Sequence, residues 1–410
     1  MNENILHCDA NNFYASVEMA KDPSLVGKKI AVCGDPQKRH GIILAKSEGA
    51  KRLGVKTGQT IREAKERCPD LILIPPDFPS YLKYSKALFS LYTSYTDRVE
   101  SFGLDECWLD VTGSHKLFGS SEHIAEELRG RAKEELGLSI SVGISFSKVF
   151  AKLGSDYKKP DAQTLISQEN YKQIAWPLPV QDILMVGAGA NAFFRSVGIR
   201  TIGDLAQADP NLLSARLGKM GVTLHEWANG IEDSPVKYYY ETRQPESVGN
   251  GSTAEKDLTT RKECLQLITS LSERVATRLR RHEMLCCGVH LCIKSNAMTT
   301  RGKQMRIENP TASATDLKNN ALVLLDELWK EDSSLPVRAI TVTAIYLIGE
   351  DEYVPTSLFT DEMIASKNTR LEKSIDKIRD KYGFDIIHRG NLFAEKEDDY
   401  DEESKPFKRQ

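Results

Sequence analysis

The feature that most constrains the fold is a pair of apolar, strand-like stretches that contain carboxylates. In ILHCDANNFYASVE, Asp9 follows an apolar run and precedes a segment with helical spacing. In VESFGLDECWLDV, Asp105 and Glu106 stand side by side within a second apolar run. Burying a carboxylate without a partner costs several kcal/mol or raises its pKa, and adjacent carboxylates also repel each other. The sequence therefore predicts a positively charged partner at both stretches.

These three carboxylates can meet if the two strands are neighbours in one sheet. Three hard oxygen ligands suit Mg²⁺ or Mn²⁺, and a pair of such ions catalyses in-line phosphoryl transfer. In the alternative interpretation Asp9 caps a helix, and Asp105 with Glu106 forms a solvated strand edge. The apolar residues on both sides of each stretch favour the metal site.

Two adjacent aromatics and a run of lysines allow two interpretations each. Phe13 and Tyr14 are either core residues, as most aromatics are, or place one ring against the sugar of a bound nucleotide. A ring in that place would exclude a 2′-hydroxyl by its shape. The segment SKVFAKLGSDYKKP is either a solvated helix face or carries a lysine that holds triphosphate oxygens. Its lysines are Lys148, Lys152, Lys158 and Lys159.

Charge is distributed unevenly along the chain, whose net charge is only −3. From Arg278 to Arg306 there are seven Lys or Arg residues and one acid, which favours contact with phosphates and salt-dependent binding. A solvated sheet face is the alternative. From Glu395 to Glu403 there are seven acids and one Lys, which is typical of a disordered tail.

The cysteines and the hydropathy indicate a compartment. The eight cysteines form no CxxC pair and have no His partner at zinc spacing, which is typical of a reducing cytoplasm. No stretch approaches the ~20 apolar residues of a membrane span. We therefore expect a cytoplasmic protein that does not associate with a membrane.

The order of the predicted elements indicates an α+β fold with a mainly antiparallel sheet, followed from Tyr171 by short helices. Here MVGAGANAFFRSVGIRTIGDL resembles a helix-hairpin-helix. A turn at Gly187-Ala188-Gly189 would bring backbone N–H groups to a DNA phosphate. A β-α-β-β-α-β module follows. Its basic residues, which would lie along a duplex backbone, are Lys294, Arg301, Lys303 and Arg306.

Taken together, these segments resemble the Y-family DNA polymerases, most closely the DinB/UmuC-type translesion enzymes of bacteria. The resemblance covers residues 4–350 and rests on HCDANNFYASVE, GVKTG, SFGLDECWLDVTGS, SVGISFSKVFAKLGSDYKKP and SVGNGSTAEKDL. It implies a right-hand polymerase with palm, small fingers, helical thumb and little finger. The implied ranges are 1–17 and 78–168 for the palm, 18–77 for the fingers, 169–235 for the thumb, 236–244 for a linker, 245–350 for the little finger and 351–410 for a C-terminal segment.

The resemblance also implies a reaction. Asp9, Asp105 and Glu106 would be the catalytic metal ligands, completed by the Ala10 carbonyl, for two Mg²⁺ ions that Mn²⁺ can replace. The implied enzyme is a monomeric, nucleoid-associated DNA polymerase that takes primer-template DNA and dNTPs. It would copy damaged templates with low fidelity and without proofreading.

The implied substrate contacts include two departures from the family. Phe13 and Tyr14 would line the nucleotide site, with Tyr14 excluding ribonucleotides, and Lys159 would contact the triphosphate. Many relatives carry a Tyr and an Arg on the triphosphate where this chain has Glu48 and Lys51. Lys51 keeps the charge but loses the bidentate fork of an arginine.

The C-terminal segment contains PTSLF, which looks like a sliding-clamp peptide with Pro355 where a Gln is usual. Leu358 and Phe359 would dock into an apolar pocket, or would pack back onto the little finger. Two other function classes stay open. One is an inactive DNA-binding scaffold recruited through PTSLF, and the other is a palm-type nucleotidyl cyclase, although a cyclase needs no grip on a duplex.

Overall fold

The computed structural model describes residues 4–35, 41–241, 244–332, 334–352 and 362–387. The chain divides into two compact units, residues 1–242 and 243–410, and each has its own buried core. Both units combine helices with largely antiparallel sheets, so the predicted α+β class is confirmed. Within the described ranges, no helix is both long and apolar enough to cross a bilayer.

The first unit contains two sheets. Their strands are β1 (Ile5–Ala10), β2 (Ile30–Cys33), β3 (Ile43–Lys46), β4 (Ile72–Ile74), β5 (Val99–Ser101), β6 (Glu106–Asp110), β7 (Ile140–Ser145) and β8 (Gln163–Ile166). The larger sheet has the order β5-β6-β1-β7-β8, in which only the β7–β8 pair is parallel. The smaller sheet has the order β3-β2-β4.

The helices of this unit pack around both sheets and continue beyond them. They are α1 (Phe13–Lys21), α2 (Glu48–Arg52), α3 (Ile61–Arg67), α4 (Phe78–Thr93), α5 (His115–Phe118), α6 (Ser121–Leu136), α7 (Lys148–Tyr157), α8 (Tyr171–Ile174), α9 (Ala188–Ser196), α10 (Ile202–Gln207), α11 (Pro210–Leu217) and α12 (Lys219–Ala228). Helices α8 to α12 share a separate apolar core, which agrees with the short helices expected from residue 171 onward.

The second carboxylate stretch is a hairpin rather than the single strand expected from its apolar run. β5 and β6 pair antiparallel, and the chain turns between them at Gly103, whose φ of +91° disfavours other residues. Asp105 therefore lies in the turn, and Glu106 is the first residue of β6. The turn brings both acids to one end of the sheet.

Helix α7 lies unusually close to the larger sheet because β7 has a glycine beneath it. A Cβ atom on Gly143 would stand 1.7 Å from the Ala151 carbonyl oxygen and 2.5 Å from the Ser155 nitrogen. The helix begins at Ser147, whose hydroxyl accepts a hydrogen bond from the Phe150 N–H. This close approach lets side chains of α7 reach residues of β1 and β6.

The predicted hairpin segment has one difference from expectation. A 3-10 turn (Val180–Asp182) precedes α9, and Gly187 caps the N-terminus of that helix, but Gly189 lies within its first turn. The two glycines therefore do not form a shared loop. Space around both is open, since a Cβ atom on either would meet nothing within 4 Å.

The second unit has the predicted β-α-β-β-α-β order. Its elements are β9 (Ser247–Leu258), α13 (Arg261–Arg281), β10 (Met284–Ser295), β11 (Thr300–Thr311), α14 (Ala314–Leu328), β12 (Val337–Gly349) and a final helix, α15 (Glu362–Tyr382). The antiparallel sheet has the order β11-β10-β12-β9. Helices α13 and α14 cover one of its faces and share with it a single apolar core.

Candidate active site

The structure brings the three predicted carboxylates to one cleft. In the antiparallel β1–β6 pair, Asp9 is directly opposite Glu106, so their side chains leave the same face of the sheet. Asp105 is fixed by a backbone hydrogen bond from the Ala10 N–H to its carbonyl, at 3.1 Å. All four residues line a cleft of about 410 Å³. The alternative in which Asp9 caps a helix is wrong, because Asp9 lies within β1, is only 5% exposed, and the N-cap residue of α1 is Asn12.

Two lysines supply the positive charge that these acids require. Lys159 Nζ lies 2.6 Å from the nearer Asp9 carboxylate oxygen, and Lys152 Nζ lies 2.5 Å from Glu106. Lys152 reaches Glu106 from α7, which the glycine in β7 allows to approach. The lysine run is therefore not simply a solvated helix face.

Their surroundings shift the pKa values of the three acids in different directions. Burial raises the pKa of Asp9 to about 6 although Lys159 opposes the shift, and burial together with the neighbouring Glu106 raises the pKa of Asp105 to about 6. Burial also acts on Glu106, but hydrogen bonds from His7 and Lys152 outweigh it and lower the pKa of this carboxyl to about 2. Asp9 and Asp105 thus carry negative charge that their surroundings only partly compensate.

The donor set fits a hard divalent cation. It consists of carboxylate oxygens with a backbone carbonyl nearby, and its two aspartates lack full compensation. In the described part of the chain, no group of three or more His, Cys, Asp or Glu side chains is already arranged around a common point as metal ligands. Lys159 and Lys152 now form ion pairs with Asp9 and Glu106. A divalent cation bound by these carboxylates would take the place of the two ammonium groups.

His7 supports Glu106 from behind. Its ring is fully buried, with Nδ1 2.8 Å from the Ser155 hydroxyl and Nε2 3.2 Å from a Glu106 carboxylate oxygen. Burial lowers the pKa of His7 in spite of Glu106. The imidazole thus bridges α7 and β6, with a hydrogen bond to Ser155 on one side and a close contact with the Glu106 carboxylate on the other.

Both residues of the aromatic pair line the cleft and pack against the core. Phe13 is 4% exposed, whereas Tyr14 is partly exposed to the cleft. The Tyr14 ring stacks on Tyr81 at 4.3 Å between centroids, and Phe78 meets it edge-on at 6.1 Å. Tyr81 is itself held by its hydroxyl, which donates to Glu18 at 2.7 Å. The Tyr14 ring is therefore a rigid part of the cleft wall.

The small sheet and α2 form another wall of the cleft. Lys51 lies 3.7 Å from Glu48, and Asn12 donates a weak hydrogen bond of 3.4 Å to the same carboxylate. Glu48 therefore lines the cleft and balances the charge of Lys51. Lys46 and Thr57 line the same wall.

The four basic residues predicted to follow a duplex do not share one face of the second unit's sheet. Arg301 and Lys303 pair in register with Ile293 and Leu291, which are buried under the helices. Lys303 accordingly forms an ion pair with Glu327 of α14. Strand side chains alternate, so residues of equal parity along β11 point to one side. The four residues therefore do not form one row on a single face, and their contact with DNA stays a prediction.

The uncovered face retains the other two basic residues. Lys294 follows the buried Ile293 in β10 and so points away from the helices. Arg306 is exposed and lies 4.5 Å over the ring of Tyr346 in β12. This face can meet a phosphate backbone without displacing a helix.

The helical part of the basic stretch is largely neutralised within the second unit. Arg280 binds Glu372 at 2.7 Å and Asp376 at 2.6 Å, both in α15. Arg379 of α15 binds Glu273 of α13 at 2.7 Å, and both side chains are about 5% exposed. These arginines hold the final helix in place and leave little charge for an external partner.

The clamp-peptide residues Leu358 and Phe359 lie outside the described residues.

Sequence reasoning missed one residue of the cleft, Lys46, and several residues that support it from behind. Tyr81, Phe78 and Glu18 fix Tyr14, but they lie on other elements, and no local pattern connects them to it. His7 had a weak signal, since a histidine two residues before a carboxylate in an apolar strand is likewise a buried polar group. Lys46 had none, because a lysine at the end of a strand is ordinary.

Comparisons with known proteins agree along the whole chain. The impB/mucB/samB family matches residues 8–156, and the impB/mucB/samB family C-terminal domain matches residues 245–358. DNA polymerase IV of Acetivibrio thermocellus is 42% identical over 392 residues, which cover 96% of this chain and 98% of that protein. DNA polymerase IV of Bacillus velezensis is 36% identical over 399 residues, with 96% and 94% covered.

The fold has a solved counterpart. A Y-family DNA polymerase chimera of Dbh and Dpo4 superposes with a TM-score of 0.73 at 23% identity, over 84% of this chain and 99% of the chimera. The right-hand polymerase fold expected from the sequence is confirmed by this likeness. The chain therefore belongs to the impB/mucB/samB family, together with proteins named DNA polymerase IV, and has the fold of the Y-family DNA polymerases.

Proposed function

We propose that this protein is a template-directed DNA polymerase of the low-fidelity translesion type. It adds dNTPs to a primer 3′-hydroxyl and has no proofreading activity. The observation that carries the proposal is the cleft in which Asp9, Asp105 and Glu106 meet beside a rigid tyrosine and several lysines. Relatives named DNA polymerase IV across almost the full chain support it.

The three carboxylates and the Ala10 carbonyl would hold a pair of divalent cations, with Mg²⁺ as the expected ion and Mn²⁺ as a substitute. When bound, such ions lower the pKa of an attacking hydroxyl and offset charge on the leaving phosphate. The protein's part is to keep Asp9 and Glu106 on one face of the sheet and Asp105 in the adjoining turn, with His7 against Glu106.

The reaction joins the primer 3′-oxygen to the α-phosphorus of the dNTP, and the proton of the 3′-hydroxyl is released to solvent. The bond from this phosphorus to the oxygen that bridges to the β-phosphorus breaks, and pyrophosphate leaves. Lys159, which pairs with Asp9 in this structure, would instead form an ion pair with a phosphate oxygen of the bound nucleotide. Tyr14, held by two neighbouring rings, excludes a ribose 2′-hydroxyl by shape.

We also propose a role for each part of the chain in holding DNA. We assign residues 1–17 and 78–168 to the palm, 18–77 to the fingers, 169–235 to the thumb, 236–244 to a linker and 245–350 to the little finger. Backbone N–H groups near Gly187 and Gly189 would contact a phosphate, as would Lys294 and Arg306 on the open sheet face. The protein would act as a cytoplasmic monomer on nucleoid DNA and bind a sliding clamp through residues 355–359.

A primer-extension assay tests the proposal. The purified chain, a 5′-labelled primer on an undamaged or an abasic template, dNTPs and Mg²⁺ should give products extended past the abasic site. An Asp105→Asn variant serves as the control for contaminating polymerase. DNA binding without any extension by the wild-type chain would favour the inactive scaffold instead.

A further inference from the structure

One lysine of the cleft has no assigned partner among the acids. Lys46 is the last residue of β3, and its side chain lines the same cleft as the carboxylates. Its Nζ donates a hydrogen bond to the Thr57 hydroxyl at 3.0 Å. Thr57 lies on the same wall, so the pair presents an ammonium group and a hydroxyl side by side.

The other lysines of this cleft are already balanced by carboxylates. Lys51 is paired with Glu48 at 3.7 Å. Lys159 is paired with Asp9 at 2.6 Å and with Asp156 at 2.8 Å. In the portion of the chain that the structure describes, no carboxylate forms an ion pair with Lys46. It is therefore the cleft lysine whose charge is left over for a ligand.

Leaving this charge unbalanced is costly. Burial lowers the pKa of Lys46, and so do the nearby Lys51 and, less strongly, Lys159, whereas Glu48 opposes the shift. A partly buried cation beside other cations is stabilised by an anion that enters the cleft. The carboxylates of the same cleft are proposed to hold the metal ions of a phosphoryl-transfer reaction, so the expected anion is a phosphate.

We propose that Lys46, positioned by Thr57, binds the triphosphate of the incoming nucleotide. This inference rests on the proposed polymerase function and adds a specific contact to it. Glu48 offsets the charge of Lys51, so Lys46 is the source of net positive charge on this wall of the cleft. A compact ammonium group suits a phosphate oxygen, and such charge-assisted hydrogen bonds are among the stronger ones.

The experiment compares Lys46→Gln with a matched control, Lys56→Gln. Lys56 is exposed on the same small region of chain, next to Thr57, but does not line the cleft. Single-nucleotide insertion kinetics give KM and kcat for a dNTP, and fluorescence anisotropy gives the Kd for primer-template. For Lys46→Gln we expect a rise in KM of about tenfold or more with little change in kcat or in DNA affinity. Lys46→Arg should restore most of the loss, and Lys56→Gln should match the wild type.

A direct binding measurement separates phosphate contact from contact with base or sugar. Inorganic pyrophosphate is titrated by calorimetry into the protein–DNA complex with Mg²⁺. Lys46→Gln should weaken pyrophosphate binding by about the same factor as the dNTP, on the order of tenfold. An unchanged KM and unchanged pyrophosphate affinity would overturn the inference, and so would an equal loss in Lys56→Gln or a loss confined to DNA affinity.

The two proposals fail separately. If the wild-type chain does not extend a primer, the proposed function fails, and the pyrophosphate titration alone then decides whether Lys46 is an anion contact. If the wild type extends primers normally and Lys46→Gln behaves like it, only the inference about Lys46 is wrong.

Discussion

The acidic end of the five-stranded sheet and the open face of the four-stranded sheet place charge in contrasting ways. In the first, Asp9, Asp105 and Glu106 are crowded and mostly buried where β1 meets β6. In the second, Lys294 and Arg306 stand apart on an uncovered surface. Crowded buried charge depends on each residue and on its support, whereas spread surface charge acts additively and is screened by salt. Single substitutions should therefore have large effects at the first surface and small ones at the second.

The largest effect is expected for Asp105→Asn. This change keeps the shape but removes the charge of a proposed metal ligand, so the single-turnover insertion rate should fall by about 1,000-fold or more. Because burial raises the pKa of Asp105, losing its charge should not lower the free energy of unfolding. Rapid-quench kinetics and urea denaturation check both. A rate within a few-fold of the wild type would contradict the metal assignment.

Next comes a change in the support of the acidic site, Gly143→Ala. The added methyl would collide with the backbone of α7, which cannot move without releasing Lys152 and Ser155 from the site. We expect a loss of about 3 kcal/mol in the free energy of unfolding, at the upper end for an overpacked site. Gly113→Ala, where a Cβ meets nothing within 4 Å, is the matched control. Equal stability of both variants would mean that α7 does not press on β7.

The third prediction concerns Tyr14→Ala. Removing the ring should raise the ratio of kcat/KM for a ribonucleotide to that for its deoxy analogue by about tenfold or more, since exclusion by shape is lost. Tyr14→Phe keeps the ring stacked on Tyr81 and should keep the exclusion. Single-nucleotide insertion with matched rNTP and dNTP measures the ratio. If Tyr14→Ala still rejects rNTPs, another group excludes the 2′-hydroxyl.

The smallest effect is expected on the open sheet face. The double variant Lys294→Gln/Arg306→Gln should weaken primer-template binding a few-fold and reduce the slope of log K against log salt by about 2. Arg301→Gln/Lys303→Gln, on the helix-covered face, is the control and should leave the slope unchanged. Binding is measured by anisotropy at several salt concentrations. An equal drop in slope for both pairs would mean that charge, and not its face, determines DNA binding.

The contrast between the two sheets also explains what the sequence could and could not predict. Asp9 and Glu106 were predictable as a pair because buried carboxylates in apolar strands are rare and require partners. The division of Arg301, Lys303 and Arg306 between two faces of the sheet was not predictable, because a run of basic residues does not reveal the register of its strand. The hairpin at Gly103 was missed because the apolar run continued through it.

Support from distant elements was beyond local sequence patterns. Tyr81 fixes Tyr14 from 67 positions further along the chain, and Ser155 supports His7 across 148. Such contacts arise only when helices pack on the sheet. The unbalanced charge of Lys46 likewise became visible only after the partners of Lys51 and Lys159 were known.

Binding of Mn²⁺ to the acidic site tests the central claim most directly. Electron paramagnetic resonance would count the ions bound by the complex of protein, primer-template with a dideoxy terminus, and dNTP. We predict that the wild-type complex binds a pair of Mn²⁺ ions and that Asp9→Asn/Asp105→Asn loses this binding while retaining DNA. Equal Mn²⁺ binding by the variant and the wild type would contradict the account.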